Sequence, residues 1–425
     1  DNLQTAYKSL INSFYGVMGM LMYRLSDMFS AASITASGRE LTRMVAHYGS
    51  KYMDTMIQEK NAKVPFDHVP IDCKTLVGME DIANRPNILY GDTDSVFVHI
   101  GKVVNGVFGS DISMDEKLDH SWQIIDNVAD YLNNYVIKDI LERKGIDFND
   151  SDKKYNYEFK KELIMSKILF GSQKKHYAMR LVIKEGKRLD KIVIKGMLAI
   201  KSDTPRFSRN LLNDLTEYIL KGYDANNITA SNQVMMDKYN AAMKEIVPLI
   251  HDGVIDIGRP VSLTQDIQHY TTIQAHIRGM LLYDIIYNHD YMFLDKAYQF
   301  YVTDINFSKL GITEAQLLEK FKHKYGRMKW YDPMMRTYKK DTFFGSICIP
   351  TDSEALDTNI FTVDEDRTKK TVIKEKVQDL MKLVGISILD EEDRFKARKN
   401  AARKFDFGKF GNPFSNDRDG HLYEI

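Results

Sequence analysis

Two carboxylates stand one residue apart in Tyr90-Gly91-Asp92-Thr93-Asp94-Ser95. Asn87-Ile88-Leu89 precedes this segment and Val96-Phe97-Val98 follows it. An apolar stretch, a Gly-Asp turn and a second β-rich stretch read as a hairpin. In an extended segment residues i and i+2 face the same side, so Asp92 and Asp94 can aim at one spot. Two anions that close repel unless a cation lies between them. A hard divalent ion with oxygen ligands, Mg²⁺ or Mn²⁺, suits the pair. Asp, Gly, Thr and Ser are also ordinary turn formers, so the hairpin alone does not separate a metal site from a plain turn.

Upstream, Lys8-Ser9-Leu10-Ile11-Asn12-Ser13-Phe14-Tyr15-Gly16 places Lys8, Asn12 and Tyr15 at i, i+4 and i+7. On a helix these share one face. The cation suits a phosphate, the amide a sugar or base edge, and the ring a base to stack on. The plainer alternative is an amphipathic helix with a solvated lysine. Downstream, Gln173-Lys174-Lys175-His176-Tyr177-Ala178 follows the apolar run 163–170. Two lysines and a tyrosine on a strand-like stretch suit a phosphate backbone, although paired lysines are also common on solvated surfaces.

Taken in order, K-x-x-x-N-S-x-Y-G, Y-G-D-T-D-S and K-K-x-Y resemble motif B, motif C and the KKRY element of family B DNA polymerases. His276-Ile277-Arg278-Gly279 and Phe344-Gly345-Ser346-Ile347-Cys348-Ile349-Pro350 resemble thumb segments of the replicative polymerases of T-even-like bacteriophages. The resemblance implies a DNA-directed DNA polymerase, a nucleotidyltransferase of DNA replication. In it a primer 3′-hydroxyl attacks the α-phosphate of a deoxynucleoside triphosphate while two Mg²⁺ or Mn²⁺ ions clamp the attacking and leaving oxygens. It makes Asp94 the catalytic metal ligand and Asp92 a weaker or indirect contributor. Lys8 would contact the triphosphate and could protonate the leaving pyrophosphate. Asn12 would shape the nucleotide pocket, and Tyr15 would lie near the minor groove of the nascent pair. Lys174, Lys175 and Tyr177 would grip primer–template DNA, and Glu162 matches a palm carboxylate ahead of that element. The family writes arginine where this chain has His176, which makes a contact there weaker and sensitive to pH.

The family's motif A, with its own metal aspartate and a Ser-Leu-Tyr-Pro-Ser-like run, has no counterpart in the sequence. Nor has the partner helix of the fingers or the 3′–5′ exonuclease. The expectation is a carboxy-terminal portion of a polymerase, inactive as this chain alone. An amino-terminal segment or subunit carrying motif A and the exonuclease would complete it. Two alternatives stand beside this reading. One is a non-catalytic DNA-binding half of a split polymerase. The other is a D-x-D nucleotide-sugar transferase, which leaves Lys8, Asn12, Tyr15 and the paired lysines without a task.

The elements that must position these residues read as α+β. Residues 1–20 read as a helix, the end of the fingers. Met28–Met56 and Asp115–Arg143 read as long helices, the latter with Trp122, Ile125, Val128, Leu132 and Val136 at core spacing. Residues 60–86 read as an irregular connection. Strands at 162–171, 176–183 and 191–200 imply an antiparallel palm sheet packed on helices, within a palm spanning 21–204. After Thr204-Pro205 the pattern is largely helical to about 300, within a mostly helical thumb spanning 205–403. The whole is a partial right-hand polymerase. The tail, 404–425, begins Lys404-Phe405-Asp406-Phe407-Gly408-Lys409-Phe410 and resembles a peptide that binds a sliding clamp; packing of a last helical turn on the thumb is the alternative.

With 425 residues, 44% of them hydrophobic, the chain can build two or three cores. Cys73 and Cys348 are the only cysteines, which excludes a disulfide framework and a cysteine-rich zinc module. No transmembrane run or signal peptide is present, so no membrane partner is expected. The resemblance points to the cytoplasm of a phage-infected or similar cell, with the nucleus left open. Lys and Arg balance Asp and Glu at 59 each. The balance is uneven along the chain: acidic groups gather at 111–119 and 390–393, basic ones at 153–201, 320–340 and 394–409. A positive cleft can therefore coexist with zero net charge.

Overall fold

The computed structural model describes residues 2–72, 85, 87–92, 95–143, 145, 158–388 and the backbone of 422–424. The described residues form two compact units. The first takes those up to Ser166 together with Leu181–Asp190. The second takes Lys167–Arg180 and those from Lys191 to Tyr423.

The first unit is organised on one long helix. Helix α1 spans Asn2–Met18 and helix α2 spans Met28–Glu59. Asp27 caps α2 by accepting the Ser30 N–H at 3.0 Å, and Lys60 ends it in the left-handed region. Its second half carries Leu41, Val45, Tyr48, Tyr52, Met53 and Met56 into the core, an i, i+4, i+7 stripe. Helices α3 (Ile100–Phe108), α4 (Met114–Tyr131) and α5 (Lys138–Arg143) complete this core, with a π-helical turn at Leu132–Ile137. A capping box between Ser113 and Glu116 starts α4. The helix read over 115–143 is thus present with a π turn inside it. Helix α3 is an addition, because its apolar run continues directly from a strand.

The irregular stretch after α2 is tied down by tyrosines. Tyr48, Tyr52 and Tyr131 donate their hydroxyls to the carbonyls of Asp72, Val64 and Val69, at 2.9, 2.6 and 2.9 Å. Those carbonyls lie outside any helix or sheet ladder and need donors. Tyr52 and Tyr131 stack with centroids 4.2 Å apart.

Two sheets contain the strands outside the motif hairpin. In the first, β3 (Leu163–Phe170), β4 (Tyr177–Lys184), β5 (Lys187–Lys195) and β10 (Leu422–Glu424) take the order β10-β3-β4-β5. Glu185 and Gly186, both at positive φ, make the two-residue β4–β5 turn. Strand β5 therefore starts four residues before the expected 191, and 198–200 is a 3₁₀ turn. The stretch Lys187–Asp190 is charged and reads as loop, yet it pairs. In the first unit Arg188 holds Asp115 and Asp119 of α4.

The second unit contains α6 (Arg206–Lys221), α7 (Ile228–His251), α8 (Ala275–Tyr287), α9 (Glu314–Tyr325) and α10 (Glu375–Leu383). It also holds a sheet that the sequence pattern does not announce: β6 (Arg259–Ser262), β7 (Lys296–Ile305) and β8 (Ser346–Pro350), with β9 (Phe361–Val363) on the far end of β7, all antiparallel. All five residues of β8 are buried. Helix α8 lies close on β8 because a Cβ at Gly279 would already stand 3.0 Å from Cys348 Sγ and 3.1 Å from its backbone nitrogen. The two segments singled out as thumb-like, 276–279 and 344–350, thus form one packing contact. Arg278 adds hydrogen bonds to the Phe343 and Thr342 carbonyls.

Candidate functional site

The carboxylate motif sits on a two-stranded hairpin. Strands β1 (Ile88–Gly91) and β2 (Val96–Val98) pair antiparallel, with Tyr90 opposite Phe97, Gly91 opposite Val96 and a bulge between Ile88 and Tyr90. Beyond the paired strands, the Asp92 N–H donates to the Ser95 carbonyl at 2.9 Å. Asp92 is half-buried. Asp94 and Thr93 lie outside the described residues. The expected shared face of Asp92 and Asp94 therefore lies outside the described residues. Among the described residues, no group of three or more His, Cys, Asp or Glu gathers as a cation site.

Lys8, Asn12 and Tyr15 do fall on one helix, α1, and all three are exposed. The other side of α1 is exposed as well: Leu3, Tyr7, Leu10, Ile11 and Phe14 keep 54–69% of their surface open. Both α1 and the hairpin touch α2, which is therefore the common support of the two motifs.

The paired lysines form the β3–β4 turn in the second unit. Lys174 and Lys175 are exposed, and Lys175 stands at φ +64°, a conformation unusual for a side chain with a Cβ. The Gly171 N–H donates to the His176 carbonyl at 2.8 Å and the His176 N–H to Gln173 at 3.2 Å. Gly196, at φ +67°, lets this turn approach β5: a Cβ there would stand 2.5 Å from His176 Cδ2 and 2.6 Å from the Lys175 carbonyl. His176 is thus packed on backbone at the position where the family writes arginine. Tyr177 opens β4 half-buried, edge-on to Phe170 at 6.4 Å. Glu162 is exposed just before β3, and its carbonyl accepts the Glu185 N–H at 2.9 Å.

Of the basic stretch 320–340, Lys324 is committed to Asp284 and Asp290, and Lys340 to Glu314. The Lys324 ammonium is held above the usual lysine range: burial opposes its charge, but the hydrogen bonds it donates to both carboxylates prevail. Lys320, Lys322, Arg327, Lys329, Arg336 and Lys339 remain exposed. Of the stripe read as core on α4 and beyond, Leu132 and Val136 are buried. Trp122 is half-buried, with Lys161 Nζ 4.3 Å above its ring. Of the tail, only the backbone of 422–424 is described, as strand β10 beside β3; 404–421 and the runs at 390–393 and 394–409 lie outside the described residues. Sequence reasoning missed Gly196, whose only signal was a glycine closing a β-rich run.

Comparison with known proteins bears on this arrangement. The family described as DNA polymerase family B matches residues 1–109, a stretch containing both α1 and the hairpin. The DNA polymerase of Choristoneura biennis entomopoxvirus is 25% identical over 224 residues, 52% of this chain and 21% of that protein. The DNA-directed DNA polymerase of Enterobacteria phage T4 is 24% identical over 298 residues, 65% of this chain and 28% of that protein. A solved family B DNA polymerase from Pyrobaculum calidifontis aligns with 90% of this chain and 34% of its own, at 15% identity. Its TM-score is 0.41. The sequence similarities are thus to DNA polymerases, and the family match covers residues 1–109. The chain spans between 17 and 28% of the length of these and two other curated polymerases. Among the described residues, no helix is long and apolar enough to cross a membrane.

Proposed function

We propose that this chain is a carboxy-terminal portion of a replicative DNA-directed DNA polymerase that adds deoxynucleotides to a primer 3′ end. One observation carries the reading: a single continuous family match contains both the Lys8–Asn12–Tyr15 helix and the Asp92–Asp94 hairpin. In this assignment 1–20 end the fingers, 21–204 form the palm and 205–403 the thumb.

Lys8 on the exposed face of α1 binds the triphosphate by charge, Asn12 and Tyr15 bound the nucleotide, and Lys174 and Lys175 take the primer backbone. The carboxylates of Asp92 and Asp94 are hard oxygen donors that fit Mg²⁺ or Mn²⁺, and the Asp92 N–H is held by the Ser95 carbonyl. Two such ions, when bound, stabilise the charge on the attacking and leaving oxygens. The remaining ligand comes from motif A on an amino-terminal segment or partner subunit. The open apolar face of α1 supports such a partner, because a contiguous exposed apolar stripe marks a surface that another polypeptide covers.

The test is primer extension with this chain, with an upstream polymerase segment carrying motif A, and with both. Extension by the mixture and by neither part alone is the expected result. A mixture that forms a complex on primer–template and adds no nucleotide would overturn the reading.

A further inference from the structure

We infer that Asn87, held by Asp54, is a positioning residue for the carboxylate hairpin; this rests on the polymerase reading above. Among the described residues the hairpin pairs only with itself, over strands of four and three residues with a register shift between Ile88 and Tyr90. A two-stranded hairpin of that size is marginal on its own, so its direction must be set from outside. Asn87 and His99 form its root, joined by the His99 N–H to the Asn87 carbonyl at 2.8 Å. Asn87 is fully buried, and its side-chain Nδ2 donates to Asp54 Oδ1 on α2 at 2.8 Å. The second oxygen of Asp54 faces Arg85 at 3.8 Å.

The same amide leaves its Oδ1 buried with no hydrogen-bond partner. A residue chosen for stability alone would not keep that oxygen, since an unpaired buried acceptor is costly and an apolar side chain avoids it. What the amide supplies is a directional bond at one end of the hairpin. That bond fixes the angle at which the two strands flanking the Asp92–Asp94 motif leave α2. A charge-assisted bond to a helix that is itself buried along Tyr48, Tyr52, Met53 and Met56 is a stiff anchor. Asp54 and Asn87 touch no reacting atom in this account; they act through the hairpin.

The experiment compares wild type, Asn87→Asp, the exchanged pair Asp54→Asn with Asn87→Asp, and Asp94→Ala. Two readouts are taken. One is hydrogen exchange over 87–99 in the full chain; the other is primer extension in the assembly that supports it. Asn87→Asp sets two carboxylates against each other. It should speed exchange over 87–99 and lower incorporation by about 10- to 100-fold, with primer–template affinity unchanged. The exchanged pair restores an amide–carboxylate bond and should recover both readouts, which a general loss of packing would not allow. If Asn87→Asp does not fold, Asp54→Ala removes the partner instead and should show the same two effects. Normal incorporation and exchange in Asn87→Asp, with Asp94→Ala inactive, would overturn the positioning role alone. Normal incorporation in Asp94→Ala would overturn the polymerase reading instead.

Discussion

At the scale of single residues, the turn of paired lysines separates structure from binding. Lys175 holds a left-handed backbone that costs a side-chain-bearing residue roughly 1 kcal/mol or more. Replacing it by glycine relieves that cost while adding a similar entropic one. Lys175→Gly should therefore leave the melting temperature nearly unchanged, weaken primer–template binding and lower its salt slope by about one. A clear fall in melting temperature with unaltered DNA affinity would make the lysine structural. Gly196→Ala should differ in its effect on stability. Its added Cβ meets His176 and the Lys175 carbonyl, and φ is +67°. Positive φ alone costs about 1–2 kcal/mol, so thermal stability and DNA affinity should drop together. The residue types of this turn were legible in sequence, because two cations beside a tyrosine already suggest phosphate. Its geometry was not: the need for Gly196 arises where β5 returns past the turn, a contact no local pattern encodes.

At the scale of elements, α2 and its tyrosines govern the first unit. Burial pushes the Tyr52 phenol up to about 12, and burial pushes Tyr131 higher still. In the unfolded chain tyrosines ionise near pH 10. A raised folded-state value means that this stabilisation is complete below about pH 10 and is lost as pH rises toward 12. Denaturant titrations from neutral to about pH 11 should show stability falling only in the upper part of that range. Tyr52→Phe should cost about 1–3 kcal/mol at neutral pH, by stranding the Val64 carbonyl, and should flatten the alkaline fall. An unchanged alkaline slope would contradict the assignment.

The long helices were readable because their apolar periods extend over many turns. Helix α3 was hidden because Ile100-Gly101-Lys102-Val103-Val104 continues an apolar strand without a break. Strand β8 was hidden because a fully buried five-residue run has no alternation to distinguish it from helix. The carboxylate hairpin was plain in sequence, but its anchor was not. Asp54 and Asn87 lie 33 positions apart, and only folding brings the amide to the carboxylate.

At the scale of the whole molecule, the account requires more polypeptide than this chain supplies to the site. The open stripe on α1 should become protected from hydrogen exchange when an upstream segment with motif A is added. Protection elsewhere but not at Leu3–Phe14 would place that contact on another surface. Replacing Phe405, Phe407 and Phe410 of the tail by alanine should reduce synthesis stimulated by a sliding clamp and spare basal synthesis. Equal loss of both would show that the tail packs on the protein rather than binding a clamp.

The most direct measurement is nucleotide incorporation by the assembled enzyme with Asp94→Ala. The account predicts a loss of roughly 10²- to 10³-fold or more, because a group that stabilises transition-state charge is removed. Primer–template affinity should stay within about twofold, since the ground-state complex does not need that carboxylate. Incorporation at the wild-type rate would contradict the claim that the turn of β1 and β2 drives the chemistry.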